Sequence, residues 1–525
     1  MTPRAPGGRI VRIALDAESA ETLYRQVYRA IRAAILEGRL GPRTRLPSTR
    51  GLARDLGVSR STVVQAYEQL RAEGYVDGRI GSGTRVSAMV PDSLLRLHDA
   101  RGARPAPPAL SSGAGGTAGG TAGVAAGAFA GRPSARGEAL AAVPRRLLDV
   151  RWLAPRAFRG GVPAVDVFPV EIWGRLMARR WRLTPPRLLS YGDPFGHPPL
   201  RAAVAEYLNA ARGVRCTPEQ VLITAGSQQA LDLCARTLLD PGDRAWVEDP
   251  GYLGARGAIV AAGAQPVPVP VDAEGLDVAA GRERCPRARL AFVTPSRQLP
   301  LGMTMSASRR LALLEWAARA GAWVIEDDYD SEFRYASRPL AALQGLDPHG
   351  CVLYVGTFSK VMFPSLRLGY LVVPPRLAEA FAAARHFADY CPPYLEQAVI
   401  SDFITEGHFE RHIRRMRTIY RERQAVLLEL ARHHLAGLVD VPPAEAGMTL
   451  VGWLPPGADD DAAARAAGRA GVDVMPLSPF AMTPGLLRPG LLLGYAGIAE
   501  PDLRDGVAKL ARALGESREW RRATA

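Results

Sequence analysis

The sequence predicts a multidomain protein, in which a small N-terminal α+β domain precedes a larger α/β domain with a mostly parallel sheet. Three observations predict this organisation. The chain has 525 residues, which is too long for a single hydrophobic core. A stretch rich in Ala, Gly and Pro divides it. Helical periodicity before that stretch changes to alternating strands and helices after it.

The overall composition is that of a globular protein, with 47% hydrophobic and 22% charged residues. No apolar run is long enough to span a membrane, and the N-terminus lacks a signal-peptide pattern. Five scattered cysteines without a CxxC pair disfavour a disulfide framework or a zinc site, and they fit a reducing cytoplasm. The net charge of +14 indicates an acidic partner such as nucleic acid.

The first 87 residues have the features of a DNA-binding domain. They hold 15 arginines against 8 acidic residues, half of the net charge. Apolar residues recur at every fourth position in LYRQVYRAIRAAIL, which predicts an amphipathic helix. Ser48 and Gly57 then bound one short helix, and Ser59 and Gly74 bound a second. Two such helices followed by GYVDGRIGSGTRV predict a helix-turn-helix with a two-stranded wing.

The string RLPSTRGLARDLGVSRSTVVQAYEQLRAEG resembles the winged helix-turn-helix of GntR-type bacterial regulators, over residues 15–87. The resemblance implies that double-stranded DNA is a partner. The residues that it places on DNA are Arg45, Arg50, Arg60, Ser61, Thr62, Ser82, Thr84 and Arg85. The alternative is a small helical domain whose arginines are only solvated.

Residues 88–161 read as a flexible linker. This range is rich in Ala, Gly, Pro and Ser and has few large apolar residues. Such a segment buries too little surface to offset the conformational entropy that ordering would remove. We therefore expect it to tether the basic domain rather than to fold.

From residue 162 onward, short apolar strands alternate with helices, which predicts a parallel sheet covered on both faces. Ligands of such sheets bind at the carboxyl ends of the strands. The residues predicted at those ends are Ser227, Gln228, Asp249, Tyr252, Thr294, Asp327, Thr357, Ser359 and Lys360.

These side chains suit one cofactor. The turn before Ser227 can seat a phosphate at a helix N-terminus, and Arg367 offers a guanidinium fork. A buried Asp327 needs a cationic partner such as a protonated ring nitrogen, and Tyr252 can stack on a ring. Only two of the 66 basic residues are lysines, and Lys360 supplies the nucleophilic amine that arginine cannot. Together they predict pyridoxal 5'-phosphate.

The motifs YGDPFGHPPLRAAVAEYL, TAGSQQALDL, EDPGY, IEDDYDSEFRY and GTFSK…LRLGY resemble those of fold-type I aminotransferases, over residues 162–515. Joined to the GntR-type domain, they resemble the MocR/GabR class of pyridoxal-phosphate-dependent transcriptional regulators. This resemblance implies a smaller C-terminal α+β subdomain at about 400–515. It also implies a head-to-tail homodimer in the bacterial cytoplasm, in which Tyr191 reaches the neighbour's phosphate.

The resemblance also assigns roles in cofactor binding. Lys360 forms the Schiff base, Asp327 pairs with the ring nitrogen, Tyr329 bonds the ring hydroxyl and Tyr252 stacks. The phosphate is assigned to Ser227, Gln228, Thr357, Ser359 and Arg367, and Thr294 is added as a further cofactor contact at a strand end.

Two departures from the class pattern leave the effector undefined. Arg297 replaces the usual histidine in TPSRQLPLG. LRPGLLLGYAGI has leucines where an arginine for a substrate carboxylate is expected, so Arg488 is the nearest candidate clamp.

Two functions remain open. One is a regulator that senses pyridoxal phosphate or an amine or amino-acid effector by aldimine exchange at Lys360. The other is a working aminotransferase. No metal is expected, because DDYDSE lacks the glycine and closing glutamate of a calcium loop, and His408 and His412 are interpreted as solvated helix histidines.

Overall fold

The computed structural model describes residues 13, 15–16, 19, 21–79, 83–88, 133–144, 156–183, 189–335, 341–517 and 519–521. The chain divides into two compact units, residues 1–131 and residues 132–525. Each unit has its own hydrophobic core, so the predicted small and large domains are both present.

The described part of the first unit folds as a helix-turn-helix with a wing. Its elements are helices α1 (Leu23–Leu36), α2 (Thr49–Leu56) and α3 (Arg60–Ala72), then strands β1 (Val76–Arg79) and β2 (Gly83–Val86). The hydroxyl of Ser48 caps α2 by accepting from the Gly51 amide, and that of Ser59 caps α3 by accepting from the Thr62 amide, both at 3.1 Å. Gly57 ends α2 with φ 66°, a conformation that favours glycine.

The core of this unit forms between α1 and α3. Val27, Ile31, Val63 and Leu70 are each at most 1% exposed. Burying a side chain of this kind stabilises a fold by about 1.5–3 kcal/mol. The wing is held by antiparallel pairing of β1 with β2 in the register Val76↔Val86. The polar faces of α2 and α3 therefore stay at the surface.

The predicted linker, residues 88–161, is corrected in its second half. Residues Ala135–Ala141 form helix α4, whose N-terminus is capped by the Ser134 hydroxyl. Val143 is 7% exposed, and α4 packs on another helix of the second unit. A seven-residue helix is marginal alone, so the cap and this docking explain why it forms despite the linker-like composition. The linker residues 89–132 and 145–155 lie outside the described part of the chain.

Eight of the described strands of the second unit form one sheet, in the order β3-β10-β9-β8-β7-β4-β5-β6. Strand β10 is antiparallel to both neighbours, β6 is antiparallel to β5, and the pairs among β4, β5, β7, β8 and β9 are parallel. The strands are β3 (Val221–Thr224), β4 (Arg244–Asp249), β5 (Gln265–Asp272), β6 (Gly275–Leu276), β7 (Leu290–Val293), β8 (Trp323–Asp328), β9 (Val352–Thr357) and β10 (Gly369–Val372).

Helices cover both faces of this sheet, as predicted. They are α5 (Val170–Leu183), α6 (Pro198–Arg212), α7 (Ser227–Leu238), α8 (Leu253–Ala261), α9 (Val278–Arg284), α10 (Ala307–Ala320), α11 (Leu343–Leu346), α12 (Ala378–Asp389) and α13 (Tyr394–Thr405). Successive strand residues alternate between the two faces. Val247 packs with α7 and α8, whereas its neighbour Trp246 packs with α9 and α10 and stacks on Trp316 at 3.6 Å between ring centroids.

A smaller antiparallel sheet follows within the same unit. Its elements are α14 (His408–His434), β11 (Thr449–Trp453), α15 (Asp460–Arg469), β12 (Met475–Pro476), β13 (Gly490–Gly494) and α16 (Glu500–Glu516). The strand order is β11-β13-β12. This α+β arrangement is the C-terminal subdomain expected at about residues 400–515.

One expectation about histidines is wrong. His412 is 5% exposed rather than solvated, and its Nε2 lies 2.9 Å from the Val361 carbonyl oxygen. Burial lowers its pKa. The five cysteines are free, and the described residues contain no group of three metal-ligating side chains. Among those same residues, no helix has both the length and the apolarity to cross a membrane.

Candidate functional site

The first candidate surface lies at the start of α3. Arg60 and Ser61 are exposed there, with Arg50 exposed on α2. The oxygen of the capping residue Ser59 lies 2.7 Å from the Ser61 hydroxyl and 2.8 Å from that of Thr62. The cap therefore orders the polar opening of the helix that was predicted to face DNA bases.

Two arginines lie opposite each other beside the wing. Arg45 forms an antiparallel bridge with Arg85 on β2, and both are exposed. The Leu46 amide donates to the Thr84 carbonyl at 2.9 Å, which holds this register. In the described part of the chain neither arginine has a carboxylate partner, and like charges in this position repel unless an anion lies between them. Ser82, also predicted to contact DNA, lies outside the described residues.

The second candidate site lies at the carboxyl edge of the large sheet, around Lys360. The Lys360 Nζ donates a 2.8 Å hydrogen bond to the Gly161 carbonyl oxygen. A β-carbon on Gly161, where φ is 71°, would lie 2.7 Å from that nitrogen. Burial lowers the pKa of the amine, and the carboxylates of Asp330 and Asp327 oppose this effect. A buried amine of lowered pKa is a better nucleophile.

Asp327, the last but one residue of β8, has an incompletely partnered carboxylate. It is 4% exposed, and its Oδ1 has no hydrogen-bond partner in the described structure. Burial, together with the charges of Asp328 and Glu248, raises its pKa to about 8, and the charge of Lys360 opposes this effect. A buried carboxyl oxygen left without a partner is unfavourable, so this position favours a cationic or hydrogen-bond-donating ligand.

An anion seat lies next to these groups. Helix α7 begins at Ser227 after Gly226, which has φ 90°. Arg367 adopts φ 49° and donates from Nη2 to the Ala225 carbonyl at 2.9 Å, so its guanidinium lies against this turn. A β-carbon at Gly226 would lie 3.1 Å from that same Nη2. Free amides at a helix N-terminus beside a guanidinium form a phosphate site.

Hydroxyl groups from the loop after β9 add to this seat. The Thr357 hydroxyl accepts a 3.1 Å bond from the Ser359 amide, which orders the loop ahead of Lys360. The Ser359 hydroxyl oxygen is buried and lacks a hydrogen-bond partner in the described structure. An unpaired buried hydroxyl is ready to bond a bound oxyanion.

The predicted stacking tyrosine is held by a polar neighbour. The Tyr252 hydroxyl donates to the Gln228 side chain at 3.1 Å, and Gln228 donates to the Gly254 carbonyl at 3.0 Å. Burial raises the pKa of Tyr252 to about 12. The ring is thereby fixed in a neutral form suited to stacking.

Thr294 faces inward rather than offering a free hydroxyl. Its hydroxyl donates to Glu248 at 2.5 Å, and its amide donates to the other oxygen of that carboxyl at 3.0 Å. Burial raises the pKa of Glu248 to about 7. The structure therefore gives Thr294 a supporting contact with Glu248, which lies near Asp327.

Two further findings concern arginines. Tyr329 accepts a 3.2 Å hydrogen bond from Arg297, a contact that the sequence did not suggest.

Arg488 is not brought to the site: its Nε donates to the Leu454 carbonyl at 3.0 Å, and its guanidinium lies 5.8 Å from the Trp453 ring centroid. The expected carboxylate clamp is corrected accordingly, because stacking on Trp453 holds this side chain within the small subdomain.

Sequence reasoning missed three residues of this site. The Gly161 carbonyl binds the amine, Asp330 contributes a buried charge, and Glu248 ties down Thr294. The Gly160-Gly161 pair was a signal, since adjacent glycines often permit a close backbone approach. Nothing in the local pattern indicated that Glu248, the last but one residue of β4, would face Thr294.

The pocket as a whole fits pyridoxal phosphate. It holds a nucleophilic amine, a carboxylate with an unpartnered oxygen, an anion seat with an unpaired hydroxyl and an aromatic face. These are the groups that the aldehyde, ring nitrogen, phosphate and ring of that cofactor require.

The raised pKa of Asp327 predicts a pH dependence of stability. The folded cofactor-free protein holds a proton that the unfolded chain releases, so this contribution is lost as pH rises through about 8. We expect the thermal midpoint of the Asp327→Asn variant to fall less steeply than that of the wild type between about pH 5 and 8. Asp505→Asn, at a side chain 60% exposed, is the matched control. An unchanged slope in Asp327→Asn would contradict the assignment.

Comparison with known proteins finds a family match in each of the two units. Residues 168–507 match the model of the family "Aminotransferase class I and II", and residues 23–86 match that of "Bacterial regulatory proteins, gntR family". The chain is 44% identical over 504 residues, 96% of each chain, to the probable rhizopine catabolism regulatory protein MocR of Rhizobium meliloti. It is 33% identical to the HTH-type transcriptional regulator TauR of Rhodobacter capsulatus, covering 94% of this chain and 96% of that one.

The large domain also resembles a solved enzyme structure. The solved structure is that of LysN, the α-aminoadipate aminotransferase of Thermus thermophilus, complexed with N-(5'-phosphopyridoxyl)-L-leucine. The TM-score is 0.63 at 33% identity, and the match covers 68% of this chain and 91% of that one. The chain therefore belongs to the MocR class of transcriptional regulators, which join a gntR-family DNA-binding domain to a pyridoxal-phosphate-dependent domain of the aminotransferase class I and II family.

Proposed function

We propose that this protein binds operator DNA through its N-terminal domain and senses pyridoxal phosphate, or an amine or amino-acid effector, through Lys360. The observation that carries the proposal is the pairing of a buried nucleophilic amine with a DNA-binding domain in one chain. An amine effector would compete with Lys360 for the cofactor's aldehyde carbon. Binding of the cofactor or the effector in the pocket would then shift the protein between two states with different affinities for DNA.

In this proposal each pocket residue has a separate task. Pyridoxal phosphate supplies an electrophilic aldehyde on a ring that withdraws electrons. Lys360 would bind the aldehyde covalently, Asp327 would pair with the ring nitrogen and Tyr252 would cover the ring. Tyr329 would bond the ring hydroxyl. The phosphate is held by Ser227, Gln228, Thr357, Ser359 and Arg367, with Thr294 supporting the site through Glu248.

On DNA, the residues at the start of α3 and the arginine pair beside the wing would make different contacts. Arg60, Ser61 and Thr62 open α3 and would face base edges, whereas Arg50 would contact the flanking backbone. The Arg45–Arg85 pair beside the wing would hold a phosphate or enter the minor groove. Ser82 and Thr84 would complete the wing contact.

A physical connection supports coupling between the pocket and the linker. One cavity of about 790 Å³ is bounded by Leu140, Val143 and Pro144 of the α4 segment and, on its other walls, by Tyr252 and Arg367. The end of the linker therefore lies within reach of two proposed cofactor contacts. A ligand that moved Tyr252 or Arg367 would change the packing of α4, and through it the tether of the DNA-binding domain.

We further propose a homodimer that works in the bacterial cytoplasm. Tyr191 and Phe387 are 81% and 86% exposed, and Tyr191 contacts Tyr390 at 5.0 Å between ring centroids. Exposed aromatic side chains grouped in this way are typical of an interface. A second copy arranged head-to-tail would cover them and would bring Tyr191 to the neighbouring phosphate seat.

The alternative function, an aminotransferase, is favoured by the completeness of the cofactor pocket. Lys360 and Asp327 are both retained, and both are essential to such chemistry in general. Against it, Arg488 is held on Trp453, away from the pocket contacts described above. Residual transaminase turnover is compatible with either function, so the decisive observation is whether ligand changes DNA affinity.

The first prediction from the proposed function concerns DNA binding. We expect Arg60→Ala to weaken binding to a duplex selected from a random-sequence pool by about tenfold or more, because a base contact contributes about 1–3 kcal/mol. Arg85→Ala should instead reduce the slope of log affinity against log salt by about 1. Fluorescence anisotropy at several salt concentrations measures both effects. Arg29→Ala, at an exposed arginine of α1 paired with Glu21, is the control, and equal effects in all three variants would contradict the assignment.

A second prediction separates the two functions. When amines are titrated into cofactor-loaded protein, we expect at least one to change both the absorbance and the DNA affinity of the wild type. Lys360→Arg keeps the charge but removes the amine that links protein and cofactor, so there is no link for the added amine to displace and its DNA affinity should not respond. Multiple turnovers of an amino donor and a keto acid, with unaltered DNA affinity, would favour the enzyme and contradict the regulator.

A third prediction tests the dimer. Phe387→Glu should shift the mass measured by light scattering from dimer toward monomer, because it buries a charge at the proposed interface. Leu311→Glu alters a leucine that is 59% exposed on α10 and should leave the mass unchanged. A Phe387→Glu variant that remains a dimer would show that the interface lies elsewhere.

A further inference from the structure

The guanidinium of Arg297 is a buried positive charge that the assignments above leave without a role. Arg297 follows β7 and is 5% exposed. Its Nη2 donates to the Thr449 carbonyl at 2.7 Å and its Nε to the Ala446 carbonyl at 3.2 Å. Its Nη1 donates to the Tyr329 hydroxyl at 3.2 Å and to Asp330 Oδ2 at 3.3 Å. The side chain thus joins the small subdomain to the residues after β8.

The backbone around this guanidinium is shaped to accept it. Gly447 has φ 94°, and a β-carbon there would lie 2.1 Å from the Arg297 Nε. The Gly447 carbonyl in turn accepts a 2.7 Å bond from the Tyr495 hydroxyl. Only glycine leaves room for the side chain in this conformation. The position is therefore a built site for a cation and not a surface arginine that happens to be covered.

The charge at this site is permanent. A guanidinium keeps its proton at any pH a protein tolerates, whereas a histidine in this place would be largely neutral when buried. The Asp330 carboxyl group, whose pKa burial raises to about 6, lies 3.3 Å from this guanidinium and only partly balances its charge. The Tyr329 hydroxyl consequently sits next to a fixed positive charge.

The contact also determines what Tyr329 can do. Its oxygen accepts from Arg297, so its own proton is left for another acceptor. A hydroxyl that accepts from a cation is polarised and becomes a stronger donor, most of all at low dielectric. The acceptor assigned to Tyr329 is the ring hydroxyl oxygen of the cofactor, which is ionised in part of the pH range.

We propose that Arg297 is a positioning residue that acts through Tyr329 to stabilise the negative charge on the ring oxygen of bound pyridoxal phosphate. The inference rests on the proposed cofactor roles of Lys360 and Tyr329. It explains why this chain places a fixed charge where related sequences were expected to carry histidine. It also predicts that Arg297 sets the pH at which the bound cofactor changes its absorbance.

Several other charged or titratable groups face the same region and must be held constant in a test. Around Tyr329 and Lys360 they are Asp327, Asp330, Arg367, Tyr335 and Tyr495, with Glu248 and Asp328 acting on Asp327. Single substitutions at Arg297 leave all of these in place.

The test is a spectrophotometric pH titration of the cofactor-loaded full-length protein. Removing the charge in Arg297→Met should make the ring oxygen more basic, so the pH midpoint of the absorbance change should rise by about half a unit or more. Arg297→Lys keeps a charge but loses the fork, so its midpoint should rise less. The control Arg423→Met removes a buried arginine that pairs with Asp166 at 2.8 Å and should leave the midpoint unchanged.

A double-mutant comparison tests the route through the tyrosine. Tyr329→Phe alone should raise the midpoint, and Arg297→Met should have no additional effect in that background. An equal shift in both backgrounds, or no shift in the presence of Tyr329, would overturn the proposal. If Arg297→Met does not fold, the midpoint shift caused by Arg297→Lys is compared in the same two backgrounds, with and without Tyr329, and tests the proposal in the same way.

Failure of the underlying function is recognisable separately. A wild-type protein whose absorbance after loading equals that of Lys360→Arg would refute covalent cofactor binding itself. A coloured wild type with a midpoint insensitive to Arg297 would refute only the role of Arg297.

Discussion

The pocket depends on a concentration of buried carboxyl groups around one amine. Asp327, Asp330 and Glu248 all lie at the carboxyl edge of the sheet, and burial raises the pKa of each. Arg297 pairs with Asp330, and Lys360, with a pKa that burial lowers, does not by itself balance the remaining carboxyl groups. A ligand that brings a protonated ring nitrogen relieves this imbalance, because it pairs with a carboxylate that otherwise has an unpartnered oxygen. The site is thus arranged in advance for its cofactor.

The same excess of buried carboxyl groups would also help the pocket to act as a sensor. A cofactor-free pocket that is electrostatically unfavourable gains most from binding, so occupancy can carry enough free energy to shift a second equilibrium. The second equilibrium needs a responsive element, and α4 has the properties required. It is seven residues long, it docks through few apolar contacts, and it borders a cavity shared with Tyr252 and Arg367. Weakly docked elements of this kind are the ones that ligand binding repositions most easily.

Much of this arrangement was predictable from the sequence because it follows local rules. Ser48, Gly57 and Ser59 marked helix ends that the structure has at those positions. The rule that ligands bind at strand ends brought Lys360, Asp327 and Ser227 together without any knowledge of the sheet order. Resemblance to known families added the roles of individual residues.

The errors have a common physical origin, which is contact between residues distant in sequence. The position of Arg488 before β13 suggested a clamp, but stacking on Trp453 directs its guanidinium elsewhere. The α4 segment looked too poor in apolar residues to fold, yet a partner surface on α8 supplies what it lacks. His412 looked solvated on a polar helix, but it is buried beside Phe168 and its Nε2 lies 2.9 Å from the Val361 carbonyl oxygen.

The most direct test of the central claim is chemical trapping at Lys360. The protein is loaded with pyridoxal phosphate, reduced with borohydride, digested and mapped by mass spectrometry. With only two lysines in the chain, the exposed Lys509 is an internal control. We expect a stoichiometric phosphopyridoxyl adduct on Lys360 and none on Lys509. An adduct missing from Lys360, or present equally on both lysines, would contradict the assignment.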